Sequence, residues 1–212
     1  MVVTILHPFR PHLGHRPYPD LATSAARKDP MSVTLVTGGV RSGKSRHAET
    51  LLAGQERVTY LATNRPVDGQ DPEWADRVGR HRARRPPTWT TVETLDVVRV
   101  LAQGNGPVLL ECLGTWLTGL VDEASAWDDL HRARATGQLN RDALVAVLGT
   151  TSRDVVVVTN EVGWSLVPTT ASGRFFQDEL GTLNAAVAGV AHRVHLVVAG
   201  RVLDLGSSAS PP

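Results

Sequence analysis

The chain has a single cysteine, Cys112, in 212 residues. One thiol excludes an intrachain disulfide framework and a multi-cysteine metal site, and it fits a reducing, cytoplasmic setting. Long apolar runs are also missing. None approaches a membrane span, and the run after Met1 stops at Leu6 with no charged region before it, so neither a membrane segment nor a signal peptide is expected. There is no excess of one charge either. Twenty-two basic residues stand against twenty-one acidic ones, a net +1, which gives no global reason to expect a nucleic-acid partner. What is present is enough apolar material, 42% of the residues, for the full core of one domain.

The first thirty residues differ from the rest, with prolines at 8, 11, 17, 19 and 30 and histidines at 7, 12 and 15. Residues 1–31 are therefore expected to be a disordered extension and 32–212 a single domain. Three nearby histidines could chelate a metal. Without carboxylates around them, compositional bias is the preferred reading. Met31 directly precedes the first strand and is a second candidate for the native start.

Gly38, Gly39, Val40, Arg41, Ser42, Gly43, Lys44 and Ser45 follow the apolar run Val33–Thr37 and match G-x-x-x-x-G-K-[ST], with a strand before and a helix after. In that setting the loop amides and the positive end of the helix face a polyphosphate. Lys44 then neutralises the β- and γ-phosphate oxygens, and Ser45 offers its hydroxyl to Mg²⁺. The competing reading is a glycine-rich turn that binds nothing. Further along, strands are expected at 58–62, 107–112, 155–159 and 194–199, with 201–205 returning as a hairpin through Gly200. Helices are expected from Ser45 to about Gly54 and at 71–85, 94–103, 114–121, 139–148 and 174–190, with 122–138 a loop or partly helical excursion. Continuous apolar strands alternating with helices predict a mostly parallel α/β sheet covered on both faces, with ligands at the carboxyl ends of the strands.

Glu111 ends an apolar strand, where an unpaired carboxylate is costly. If that strand neighbours the P-loop strand, Glu111 stands where such proteins keep a metal-directed acid; otherwise it pairs with a local arginine or caps Gly114. Arg77 to Arg85 concentrates five arginines about His81. Such a run is usually a solvated helix face, but guanidinium groups also match phosphate oxygens, and surrounding positive charge favours neutral, nucleophilic imidazole. Asn160 and Glu161 follow the fourth expected strand and either bind a ligand or cap the turn. Val162 to Pro168 reads as a loop able to cover a substrate.

V-T-G-G-V-R-S-G-K-S-R-H-A-E from Val36, Y-L-A-T from Tyr60, R-V-x-x-H-x-x-x-R-P-x-x-W-x-x-x-E from Arg77, L-L-E-C from Leu109 and V-T-N-E-V-G-x-x-x-V-P from Val158 form one ordered series. Together they resemble the bifunctional adenosylcobinamide kinase and adenosylcobinamide-phosphate guanylyltransferase family of cobalamin biosynthesis, over Ser32 to Leu205. The resemblance implies a RecA-like P-loop fold and phosphorylation of adenosylcobinamide by ATP or GTP. It then implies transfer of GMP from GTP to that phosphate through a guanylylated histidine, with Mg²⁺ as cofactor. His81 becomes the nucleophile. Thr63, Asn64, Arg65, Arg82, Ala83, Arg84, Arg85, Glu93 and Glu111 line the nucleotide site beside Gly38 to Ser45, and Ser45 and Glu111 are the metal candidates. The resemblance further implies a homotrimer with the corrinoid between subunits. Trp164 and Ser165 depart from the family pattern in the candidate substrate loop. Two other readings stay open from the residues: retention of only one activity, or a P-loop nucleotide switch, which leaves the His81 motif unexplained.

Overall fold

Val33–Thr37 is an unbroken β-prone run with a hydrogen-bonded strand on each side, and all of its residues are buried as the first strand, β1. The computed structural model describes residues 32–63 and 72–206, without the side chains of Trp74, Arg77 and His81. The expected extension at 1–31 and the site candidates Asn64 and Arg65 lie outside the described residues. After β1 come α1 (Lys44–Leu51), β2 (Thr59–Ala62), α2 (Pro72–Ala83), β3 (Thr90–Glu93), α3 (Val97–Gln103) and β4 (Val108–Glu111). The order continues with α4 (Leu113–Glu123), α5 (Leu130–Thr150), β5 (Val155–Val158), α6 (Ala171–Val190), β6 (Arg193–Val198) and β7 (Arg201–Asp204).

The seven strands form one sheet in the order β3-β2-β4-β5-β1-β6-β7, parallel throughout except for the antiparallel pair β6 and β7. The hairpin turn at Ala199 and Gly200 has φ of 49° and 75°, the two positive values that a tight two-residue connection needs. Because strand side chains alternate, each strand serves two cores. Val33 and Leu35 of β1, Leu110 of β4 and Val157 of β5 join Leu101, Trp116, Leu144 and Phe175 beneath α3 to α6. Val36, Leu109 and Val158 point the other way, onto Ala48 of α1 and Leu52 just past its end, with Tyr60 and Trp89. Helices therefore cover both faces, as the sequence predicts.

The structure decides or adds to the sequence reading at three places. Of the two readings of 122–138 the partly helical one holds, because α4 runs to Glu123 and α5 begins at Leu130, where the Asp129 carboxylate accepts from the Arg132 amide. The buried positions of its first half are Ala133 and Gly137, too small to give an apolar stripe that periodicity detects. Thr90–Glu93, polar and largely exposed, is an additional edge strand on β2. Helix α3 consequently starts only at Val97, with Asp96 as its cap. Finally, β4 does not neighbour the P-loop strand; β5 lies between them.

Candidate active site

The loop between β1 and α1 turns at Gly39 to Ser42, where the Ser42 amide donates to the Gly39 carbonyl at 3.2 Å. Gly43 caps α1 with φ of 100°, and no side chain caps that helix end, so its first amides face the loop. Gly38 has φ of 157°, and a Cβ there would sit 2.3 Å from the Val197 carbonyl oxygen. Both positions therefore require glycine. Two neighbouring segments brace the loop. The Gly200 amide of the hairpin donates to Ser42 O at 2.9 Å, and the Glu161 amide donates to Gly38 O at 3.1 Å. Lys44, the first residue of α1, is buried and its ammonium donates to Gly39 O at 3.2 Å.

Ser45 and Glu111 meet although their strands are not adjacent. Helix α1 crosses over β5 and reaches β4, and the Ser45 hydroxyl donates to Glu111 Oε1. The Tyr60 hydroxyl donates to Glu111 Oε2 at 3.0 Å. Burial first, and then the Glu111 carboxylate, push the Tyr60 phenol well above its ordinary pKa, so it stays a donor. Glu111 does not cap Gly114; Cys112 and Thr115 form the capping box of α4. Thr63, buried just past the end of β2, donates to the Cys112 carbonyl at 2.8 Å and meets the Thr115 hydroxyl at 2.9 Å.

The arginine-rich segment divides into distinct tasks. Arg80 and Arg84 line an open cleft of about 330 Å³ together with Glu73 and residues 41–46. This helix and the P-loop thus share one electropositive concavity. Arg84 also holds Glu49 of α1 in a two-point contact, Nη2 to Oε1 at 3.1 Å and Nε to Oε2 at 3.3 Å; that hydrogen bond is the main cause of its raised pKa. Arg82 pairs with Glu93 at the end of β3, and Arg85 covers the Tyr60 ring at 3.3 Å from its centroid. Ala83 ends α2. His81 lies between Arg80 and Arg82 on α2, but its side chain is outside the described ones. The structure therefore brings Arg41 to Ser45, Arg80 and Arg84 to one cleft, ties Glu111 to it through Ser45, and turns Arg82 and Glu93 onto each other.

The matching family model, described as cobinamide kinase / cobinamide phosphate guanyltransferase, covers residues 34–205. The chain belongs to this family. A relative in Escherichia coli (strain K12), named bifunctional adenosylcobalamin biosynthesis protein CobU, is 38% identical over 176 residues, 78% of this chain and 95% of that protein. Its namesake in Salmonella typhimurium (strain LT2) is 37% identical over the same shares. The bifunctional adenosylcobalamin biosynthesis protein CobP of Pseudomonas aeruginosa is 38% identical over 81% of this chain and 95% of that one. Among solved structures, an ATPase from a bacterial type III secretion system overlaps with a TM-score of 0.48 at 12% identity, over 78% of this chain and 50% of that chain.

At the carboxyl end of β5, Asn160 lies against the first turn of α4, its Nδ2 3.4 Å from where a Cβ on Gly114 would be, and its carbonyl accepts from Asn184 at 3.0 Å. Glu161 does cap its turn, accepting from the Gly163 amide at 3.2 Å, while its own amide braces the P-loop. In the loop beyond, Trp164, Leu166 and Val167 are 74%, 93% and 75% exposed. Sequence reasoning in the site missed Arg80 and Glu73, which were visible only as members of a charged helix. It also missed Glu49 and assigned no role to Tyr60, although Tyr60 opens one of the family's motifs. No helix among the described residues is long and apolar enough to cross a membrane.

Proposed function

We propose that this protein phosphorylates the aminopropanol hydroxyl of adenosylcobinamide with ATP or GTP and then transfers GMP from GTP to that phosphate, giving adenosylcobinamide-GDP and pyrophosphate. The observation that carries this reading is the shared cleft: the P-loop lies on one side, and Arg80 and Arg84, from the segment bearing His81, lie on the other. In the guanylyl half-reaction an imidazole nitrogen of His81 attacks the α-phosphorus of GTP. A P–N bond forms as the bond to the bridging oxygen of pyrophosphate breaks. A phosphate oxygen of adenosylcobinamide phosphate then attacks the same phosphorus and releases the histidine.

The loop amides from Gly38 to Ser45 and the Lys44 ammonium hold the β- and γ-phosphates, and Arg84 with Arg80 balances charge on the cleft's other wall. Thr63, Arg82, Arg85 and Glu93, with Asn64 and Arg65, complete the nucleotide surroundings as the family resemblance implies. The donors of Ser45 and Glu111 are both oxygens in contact beside the P-loop, a set that suits a hard cation such as Mg²⁺. When bound, that ion supplies charge neutralisation on the phosphate oxygens. The exposed apolar loop at Trp164, Leu166 and Val167 faces the acceptor side in this reading and suits an apolar macrocycle. A cytoplasmic homo-oligomer, a trimer by resemblance, and a single domain over 32–212 complete it.

Incubation with α-labelled GTP followed by denaturation tests the reading. The protein should retain label in base and lose it in acid, as a phosphoramidate does. His81→Asn should abolish labelling and GMP transfer while phosphorylation of adenosylcobinamide persists, because that step needs no enzyme nucleophile. Label on another residue, or transfer at the original rate without His81, rules the mechanism out.

A further inference from the structure

Glu111 receives the Ser45 hydroxyl on Oε1 and the Tyr60 hydroxyl on Oε2, the latter at 3.0 Å. Tyr60 is only 3% exposed. A phenylalanine would fill the same apolar space, and a buried hydroxyl is costly unless it is used. Here it is spent on the carboxylate. The face of the ring is tied elsewhere: the Arg85 guanidinium covers it at 3.3 Å from the centroid, and Arg85 Nη1 donates to Thr91 Oγ1 at 2.9 Å. Arg85 is the second residue past the end of α2. A continuous path of contacts therefore runs from the helix that carries His81, through Arg85 and Tyr60, to Glu111 and Ser45.

We propose that Tyr60 is a positioning residue whose hydroxyl fixes the Glu111 carboxylate toward Ser45, and whose ring, under Arg85, couples that carboxylate to the His81-bearing helix. A carboxylate held at both oxygens keeps one orientation before any ligand arrives, which removes a reorganisation step from the reaction. Movement of α2 that lifts Arg85 from the ring loosens the phenol and hence Glu111. The catalytic consequence rests on the guanylyl-transfer reading, whereas the hold on Glu111 does not.

Tyr60→Phe keeps the ring and the Arg85 stack and removes only the hydroxyl. The midpoint for Mg²⁺-dependent binding of a fluorescent GTP analogue should rise several-fold. The kcat of GMP transfer should fall roughly ten- to a hundredfold, with KM for GTP changing less. A merely structural role would lower the thermal midpoint and leave the Mg²⁺ midpoint where it was. Arg85→Ala should also raise the Mg²⁺ midpoint, and should do so less in a Tyr60→Leu background, where the stack is already gone. An unmoved Mg²⁺ midpoint in both Tyr60→Phe and Arg85→Ala overturns the hold. Equal Arg85→Ala effects in the two backgrounds overturn the coupling. Should the unaltered protein take no label from GTP, the guanylyl-transfer reading falls, and the Mg²⁺ midpoint still decides the role of Tyr60.

Discussion

The sheet face beneath α3 to α6 is apolar almost throughout, with Trp116, Leu144, Phe175 and Leu180 all essentially inaccessible to solvent. The opposite face starts from the same strands and has a smaller apolar core, closed by Ala48, Leu52 and Trp89, and beside it lie polar and charged contacts: Ser45 with Glu111, Tyr60 with Glu111, Arg84 with Glu49. One face is closed by packing that needs no ligand. The other keeps charged groups held by one another beside an open cleft. Stability and chemistry are thus divided across a sheet only one layer thick, and a residue's position along a strand, odd or even, decides which of the two it serves.

That division can be broken from either side. The largest effect is expected from Lys44→Ala: both half-reactions should fall by orders of magnitude, as the proposed role of the ammonium in stabilising charge on the departing phosphates requires. Steady-state assays of each half-reaction, with circular dichroism to verify folding, check this. Near-normal GMP transfer in a folded variant would remove the P-loop from that chemistry. Leu144→Ala on the packed face should do the opposite. It should cost about 2–5 kcal/mol of stability in denaturant unfolding while kcat per folded molecule stays close to the original.

A smaller effect should appear at the hairpin side of the open face. His47 of α1 and His195 of β6 share a hydrogen bond of 2.9 Å, and both have lowered pKa values. Burial is the main cause for each, with His195 adding to it at His47 and Arg193 adding to it at His195, where Asp204 opposes it. The folded state therefore binds these protons less readily than the unfolded chain. Stability is undiminished above the ordinary value of 6.5 and declines as pH falls below it. Thermal unfolding between about pH 7 and 5 should show the decline, and His47→Gln should reduce its slope. The smallest effect is expected from removing residues 1–30: a chain starting at Met31 should match the full chain in thermal midpoint and turnover, and a large loss in either contradicts a disordered tail.

Much of the fold was legible because its signals are local. The run Val33–Thr37, the fixed residues of the phosphate loop and the Ala199–Gly200 turn each prescribe their geometry within a few residues, and all three occur where the sequence predicts. The first half of α5 was hidden, since Ala133 and Gly137 bury little area and look like loop composition. Strand β3 was hidden because an edge strand need not alternate, and Thr90 to Glu93 is mostly exposed.

The sequence by itself determined the conformation of the loop ahead of α1 and which family the chain resembles, because backbone conformation at Gly38 and Gly43 and the positions of Lys44 and Ser45 follow from adjacent residues. Only the tertiary structure decided what surrounds that loop. Ser45 reaches Glu111 across an intervening strand, Arg84 of one helix grips Glu49 of another, and Arg85 lies over Tyr60. These meetings depend on strand order and on how α1 and α2 lie over the sheet, which are fixed by the burial of both faces at once and not by any short stretch of the chain.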